Sequence, residues 1–155
     1  MKKIYSGNFT IHDLGKTIFL AGCSPRGEQV LNWRKEAVEI LEKLGFDGTV
    51  VIPEPEHGKW ANYDDVIEWE DFYMSNSDVI LFWIPRDISN GILGLTSNVE
   101  FGKYLDSGKI FYGRPNNADN VRYLDYWYTK RYETNPHNNL QDLIEECLEF
   151  LSVRR

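Results

Sequence analysis

Residues 78–113 read DVILFWIPRDISNGILGLTSNVEFGKYLDSGKIFYG, and the order of patterns inside this stretch decides the fold. DVILFWIP (78–85) carries the strongest strand signal in the chain: a continuous apolar run, as expected of a strand buried on both faces, halted by Pro85. A loop with two glycines, Gly91 and Gly94, leads into a helix that should stop at Gly108. KIFYG (109–113) then reads as a further strand. Ser97 is followed three residues later by Glu100, which is the spacing of a capping box. The same spacing sets Glu100 in the first turn of that helix, so two roles compete for one side chain.

The pattern repeats on the N-terminal side. KTIFLAG (16–22) is a short apolar run ending in Gly, and a helix over 32–44 places Trp33, Ala37, Ile40, Leu41 and Leu44 on one face. GTVVIPE (48–54) is the next strand and 64–75 the next helix. Near the C-terminus, Leu140, Leu143, Ile144, Cys147, Leu148 and Leu151 recur at helical spacing. Strand and helix alternate throughout, which predicts an α/β fold with a parallel sheet of four to five strands and helices on both faces. Ligands of such sheets bind beyond the carboxyl ends of the strands. The loops to inspect are therefore 22–31, 53–63, 86–97 and 113–119. No repeat or composition break divides the chain, so residues 1–155 are expected to form a single domain.

Composition narrows the function. A formal charge of -7 argues against binding a nucleic-acid polymer, which needs clustered cations, while leaving a small nucleoside or base open. Cys23 and Cys147 lie far apart and suggest free buried thiols rather than a disulfide framework. The polar N-terminus MKKIYSGNFTIHDLGK does not resemble a signal peptide, and no apolar run approaches a membrane span. The expectation is a soluble, cytoplasmic protein without membrane contact, in which the NFT match at Asn8–Thr10 carries little meaning.

Common nucleotide motifs fail. In GCSPRG, Glu28 and Gln29 stand where a phosphate loop needs Lys and Ser or Thr, and no dinucleotide fingerprint follows the first strand. His12, His57 and His137 with the two cysteines offer no metal-ligand spacing, so neither metal nor cofactor is expected. Cys23 occupies a ligand-side loop, but a tolerated thiol is favoured over a nucleophile. The carboxylates are more informative. Glu70, Asp78, Asp87 and Glu100 fall before, at the start of, just after and beyond the 78–85 strand. Asp78 reads as a turn or cap residue and Asp87 as lying at the ligand-side mouth. For Glu70 a solvated role is the default. Two acids converging on one crevice would suit glycosyl transfer through an oxocarbenium-like transition state.

IFLAG (18–22), DVILFWIP (78–85), TSNVEFGKYLDSGK (96–109) and GRP (113–115) together resemble the nucleoside 2-deoxyribosyltransferase family, most closely its short phage and bacterial branch. The resemblance extends over roughly residues 16–125. It implies a flavodoxin-like, Rossmann-like three-layer sandwich that exchanges the base on a 2-deoxynucleoside or nucleotide through a covalent deoxyribosyl ester, without a cofactor. By the resemblance the nucleophile falls on Glu100, the Thr96–Gly102 element contributes Thr96 and Asn98 to the substrate site, and a further acid falls on Glu70. Better-known members have Asp at that last position. Asp87 is the nearest match to a base-holding Asp, and Gly22 and Phe19 line the first strand's exit. Well-studied members have a Tyr where this chain has Phe19.

His57, in EPEHGKW (54–60), can contact substrate or sit in a turn beside Gly58. Phe19, Trp60, Trp69 and Trp83 can flank a flat base, though most should be core. RYLDYWYTKRYE (122–133) mixes aromatic and basic residues. We read it as a packing surface rather than a single-strand binder, and the resemblance implies a homo-oligomer whose neighbour completes the site. We expect Thr96 and Ser97 to start the helix and Glu100 to be held for the sugar. On the capping reading, Glu100→Ala costs about 0.5–2 kcal/mol. Hydrolysis of the same bond, a silent nucleotide-binding relative, and a plain interaction domain are the alternatives.

Overall fold

The computed structural model describes residues 1–10, 13–24, 32–57 and 62–154. Its elements are β1 (Lys2–Tyr5), β2 (Thr17–Gly22), α1 (Trp33–Lys43), β3 (Thr49–Ile52), α2 (Tyr63–Asn76), β4 (Val79–Trp83), α3 (Leu95–Tyr104), β5 (Ile110–Gly113), α4 (Arg122–Tyr132) and α5 (Leu140–Ser152). A single 3₁₀ turn, Leu105–Ser107, separates α3 from β5. The strands form one all-parallel sheet in the order β1-β3-β2-β4-β5. This is the α/β sandwich that the alternation predicts, with helices on both faces.

Alternation within the central strands builds two cores. Phe19 and Ala21 of β2 and Ile80 and Phe82 of β4 face one layer, where they meet Trp69, Tyr73, Phe101, Leu124 and Tyr128 of α2, α3 and α4. Ile18, Leu20, Leu81 and Trp83 face the other layer and pack on Trp33, Ala37, Leu41, Leu143 and Cys147 of α1 and α5. Strands clad on both sides must be apolar throughout, which is why β2 and β4 are so plain in the sequence. Asn32, Asn62 and Asn139 cap α1, α2 and α5 with their side chains.

β1 is an edge strand. Lys2 and Lys3 are exposed and Ile4 is its one inward anchor. The chain leaving β1 crosses over α2, where Trp69 donates to the Asn8 carbonyl at 2.7 Å and the Tyr73 hydroxyl joins the backbone of Thr10.

The site is set by strand order. From β2 the chain passes through α1 to β3 on one side of the sheet. From β4, β2's other neighbour, it passes through α3 on the opposite face to β5. The two connections diverge, so a crevice opens beyond the carboxyl ends of β2 and β4. Gly22 makes this close pairing possible: a Cβ there would lie 2.0 Å from the Trp83 carbonyl oxygen, and its φ is +132°. Gly22→Ala is expected to cost about 3 kcal/mol or more, because backbone has to move and the conformation is strained. Urea denaturation at neutral pH measures it.

Candidate active site

The helix carrying Glu100 begins earlier than the sequence spacing suggests. Gly94, in the left-handed conformation with φ +61°, is the N-cap of α3, and Leu95 is its first residue. Ser97 is therefore the third helical residue, buried, and not the cap. No side chain caps this helix, so the Ser97-to-Glu100 spacing forms no capping box. Gly94 is required there because a Cβ would meet the Cys23 sulfur at 2.2 Å. Starting at Gly94 places Glu100 in the second turn, with its carboxylate free of helix capping.

A clasp between α2 and α3 brings a second acid to it. Asp71 of α2 pairs with Lys103 of α3 and accepts from the Tyr104 hydroxyl at 2.7 Å, while Ser75 and Tyr104 share a further hydrogen bond of 2.8 Å. Glu70 adjoins the clasp on α2, and Glu100 lies one turn before it on α3. Both are half-buried. Burial pushes the Glu70 carboxyl up to about 7, and the charge of Glu100 adds to the rise while Arg34 opposes it. Burial also raises Glu100, against the pull of Arg34. Two carboxylates in one partly dry crevice cannot both ionise easily. A charge on Glu100 helps hold the proton on Glu70.

Arg34 comes from α1, on the other layer. It is 2% exposed. Nε donates to the Leu20 carbonyl at 2.9 Å and Nη2 to the Gly22 carbonyl at 2.8 Å, both on the outgoing end of β2. Nη1 reaches the Ser24 hydroxyl at 3.1 Å and pairs with Glu54, just beyond β3, at 2.6 Å. The sequence reading passed over this residue. Its signal was spacing: Arg34, Ala37, Val38 and Leu41 form an i, i+3, i+4, i+7 stripe and all are buried, whereas Leu44 is 41% exposed.

Arg86, equally unremarked, fastens the far rim. Its buried guanidinium donates to the carbonyls of Leu93 and Asn120 and to Asn98 Oδ1. This links the loop after β4, the start of α3 and the loop before α4.

The other candidates divide. Gly22 and Cys23 lie at the β2 exit, and Asn98 lies at the rim with its amide oxygen engaged by Arg86. Thr96 is exposed in the first turn of α3. Phe19 is 1% exposed and packs beneath Trp69, ring centroids 6.3 Å apart, so it is core below the crevice. Trp83 belongs to the opposite layer. Asp87 spends its carboxylate on its own turn, accepting from Ser89 Oγ at 2.7 Å and from Asn90 Nδ2 and N at 2.6 and 3.1 Å. Those hydrogen bonds, the Asn90 amide foremost, hold it below the usual carboxylate range. Asp78 accepts from the Thr17 amide at 2.9 Å, at the opposite end of the sheet.

His57 is exposed in the turn after β3, and His137 pairs with Glu146 at 2.7 Å. Trp60 and His12 lie outside the described residues, as does most of the 22–31 loop. Burial raises the Cys23 thiol above its ordinary value despite Arg86 and Arg34, which keeps it protonated rather than nucleophilic. Among the described residues, no cluster of three His, Cys, Asp or Glu side chains could hold a metal ion, and no helix is long and apolar enough to cross a membrane.

An ionisable carboxylate beside a protonated one, in a crevice at the switch in strand order, can attack a carbon while its neighbour handles a leaving-group proton. A family model described as nucleoside 2-deoxyribosyltransferase like matches residues 15–117. No curated protein matches the chain. The matched span runs from just before β2 to just past β5 and takes in Arg34, Glu70 and Glu100. The chain belongs to the nucleoside 2-deoxyribosyltransferase-like family.

Proposed function

We propose that the protein exchanges the base of a 2-deoxynucleoside or its nucleotide through a deoxyribosyl ester of Glu100. The observation that carries this reading is the pairing of Glu100, free of helix capping, with Glu70, whose proton is held to about pH 7. A carboxyl that keeps its proton to about pH 7 suits the role of leaving-group acid.

In the first half-reaction a Glu100 oxygen bonds to the anomeric carbon as the bond from that carbon to the base nitrogen breaks. The electron pair leaves with the base, and the Glu70 proton goes to it. In the second, a nitrogen of the incoming base bonds to the same carbon, the ester bond breaks, and the proton released by that nitrogen returns to Glu70. A carboxylate is a weak nucleophile, but a carbon approaching an oxocarbenium ion needs little push, and a 2-deoxy sugar forms that cation readily.

The 73% and 58% exposure of Tyr123 and Tyr126 on α4 supports an additional role for that helix in contacting a second copy of the chain. The test of the activity is direct. Incubation with thymidine and adenine should yield deoxyadenosine and thymine in equal amounts. Thymine without a new nucleoside assigns the protein to hydrolysis, and silence over a panel of deoxynucleosides and deoxynucleotides removes the enzymatic reading.

A further inference from the structure

We propose that a second ligand site lies at the β5 edge of the sheet, against α4, and that it takes a small phosphate monoester carrying a flat organic group. A cavity of about 570 Å³ opens there, the size of small-molecule sites in general. Arg114 at the exit of β5, Arg122, Tyr126, Thr129 and Lys130 on α4, and Asn135 just beyond α4 line it. The crevice of Glu70 and Glu100 opens beyond β2 and β4. This cavity lies beyond β5, where His137 bridges to Gly113 and its carbonyl accepts from the Arg114 amide at 2.8 Å. Apart from Arg114, its lining falls outside the residues 15–117 that the family model matches.

The spacing along α4 builds one wall. Leu124 and Tyr128 turn into the core, whereas Arg122, Tyr126 and Thr129 recur at i, i+4 and i+7 with Lys130 beside them. One flank of the helix therefore carries two cations, a hydroxyl and a ring. In a chain of formal charge -7, three cations here meet a single acid, Asp125. That acid is already engaged. Its Oδ1 accepts from the Tyr112 hydroxyl at 2.9 Å and from Arg114 Nε at 3.3 Å, and its Oδ2 accepts from Arg114 Nη2 at 2.8 Å. This clasp uses one edge of the guanidinium and fixes its plane, while Nη1 enters no hydrogen bond among the described residues. Arg122 and Lys130 form no ion pair among the described residues. Thr129 and Asn135 add neutral donors.

A surplus of two positive charges matches a dianion, and a guanidinium with a second guanidinium and an ammonium beside it suits phosphate oxygens. Phosphate alone would fill a small part of the cavity. The rest is walled by the exposed ring of Tyr126, with Lys130 Nζ 5.8 Å from its centroid, and a flat group bonded to the phosphate can stack there.

Phenyl phosphate tests this, because it has both halves of the ligand and no N-glycosidic bond to break. Titrated into the ¹⁵N-labelled full chain, it should saturably shift the Arg114 side-chain N–H and the amides of Thr129, Lys130 and Asn135, with a Kd in the millimolar range or below. Inorganic phosphate should bind the same residues about tenfold more weakly, and phenol should not bind. The double variant R122Q/K130Q changes two exposed side chains and should weaken phenyl phosphate by at least about tenfold. Y126A should bring phenyl phosphate down to the level of inorganic phosphate. The proposal is overturned by the absence of saturable shifts, by shifts centred on Thr96–Glu100, by unchanged affinity in R122Q/K130Q, or by equal affinity for phenyl and inorganic phosphate. Binding is read without turnover. A protein inactive on every nucleoside keeps this inference and loses the proposed function; an active one without these shifts does the reverse.

Discussion

Glu100→Gln is expected to abolish base exchange, by at least about a thousandfold, because the amide cannot form the ester and no other described side chain stands in its place. The same substitution should not weaken the fold. Glu100 caps nothing, since Gly94 begins α3 without side-chain help, so the loss that a capping box would imply is absent. A half-buried charge raised by desolvation disappears instead. At pH 8 the variant should unfold at the wild-type urea concentration or slightly above it. A second consequence follows from the pairing. With the Glu100 charge gone, the Glu70 carboxyl should titrate below its value of about 7, because one of the two causes that raise it has been removed.

Glu70→Gln should trade activity for stability. The Glu70 carboxyl is raised from 4.5 to about 7 by burial and by Glu100. In the unfolded chain it loses its proton near 4.5, whereas the fold retains it to about 7. The native state therefore binds more protons across that interval, and stability falls as pH rises from about 4.5 to about 7, then levels off. The loss is on the order of 3 kcal/mol at most, shared with the coupled titration of Glu100. Gln does not ionise, so the variant should lack this decline and exceed the wild type in stability at pH 8. It should be the less stable of the two, if they differ, only below about pH 5. Activity should move the other way. Turnover of the wild type should fall on the alkaline side as Glu70 loses its proton. The variant should be slower by about 10²–10⁴-fold, the usual contribution of a positioned acid, without that alkaline limb. Urea midpoints and kcat/KM measured from pH 5 to 9 on both proteins check both halves.

Much of the fold was legible because β2 and β4 are clad on both faces and can carry only apolar residues. β1 was not placed: KKIY has one inward side chain, Ile4, and the exposed lysines of an edge strand remove the apolar run by which strands are recognised. α4 was hidden for the opposite reason. Leu124 and Tyr128 point inward, but Tyr123, Tyr126 and Trp127 are partly or largely exposed on the other side, so aromatic residues surround the helix and blur its period.

The site was legible to the extent that it depends on strand order. Position around the 78–85 strand left Glu70 a solvated acid by default, and the resemblance set it beside Glu100; in the structure the charge of Glu100 is one cause that raises the Glu70 carboxyl. The start of α3 was misread because Ser97 and Glu100 have the spacing of a box. The deciding fact was that Gly94 can adopt φ +61° beneath Cys23, which no local pattern records. Asp87, read as lying at the ligand-side mouth, uses its carboxylate to close its own turn with Ser89 and Asn90. Arg34 and Arg86 went unnoticed because cations are expected at the surface. Both are buried, Arg34 fastening the β2–β3 rim and Arg86 the far rim.

The central claim is that Glu100 bonds covalently to the sugar. Mass spectrometry of the protein, acid-quenched during turnover of a deoxynucleoside with no acceptor base present, tests it most directly. One added deoxyribosyl group is expected, located by peptide mapping on Glu100 and absent from Glu100→Gln. Turnover without any adduct, or an adduct carried by Glu70 or another residue, would contradict it.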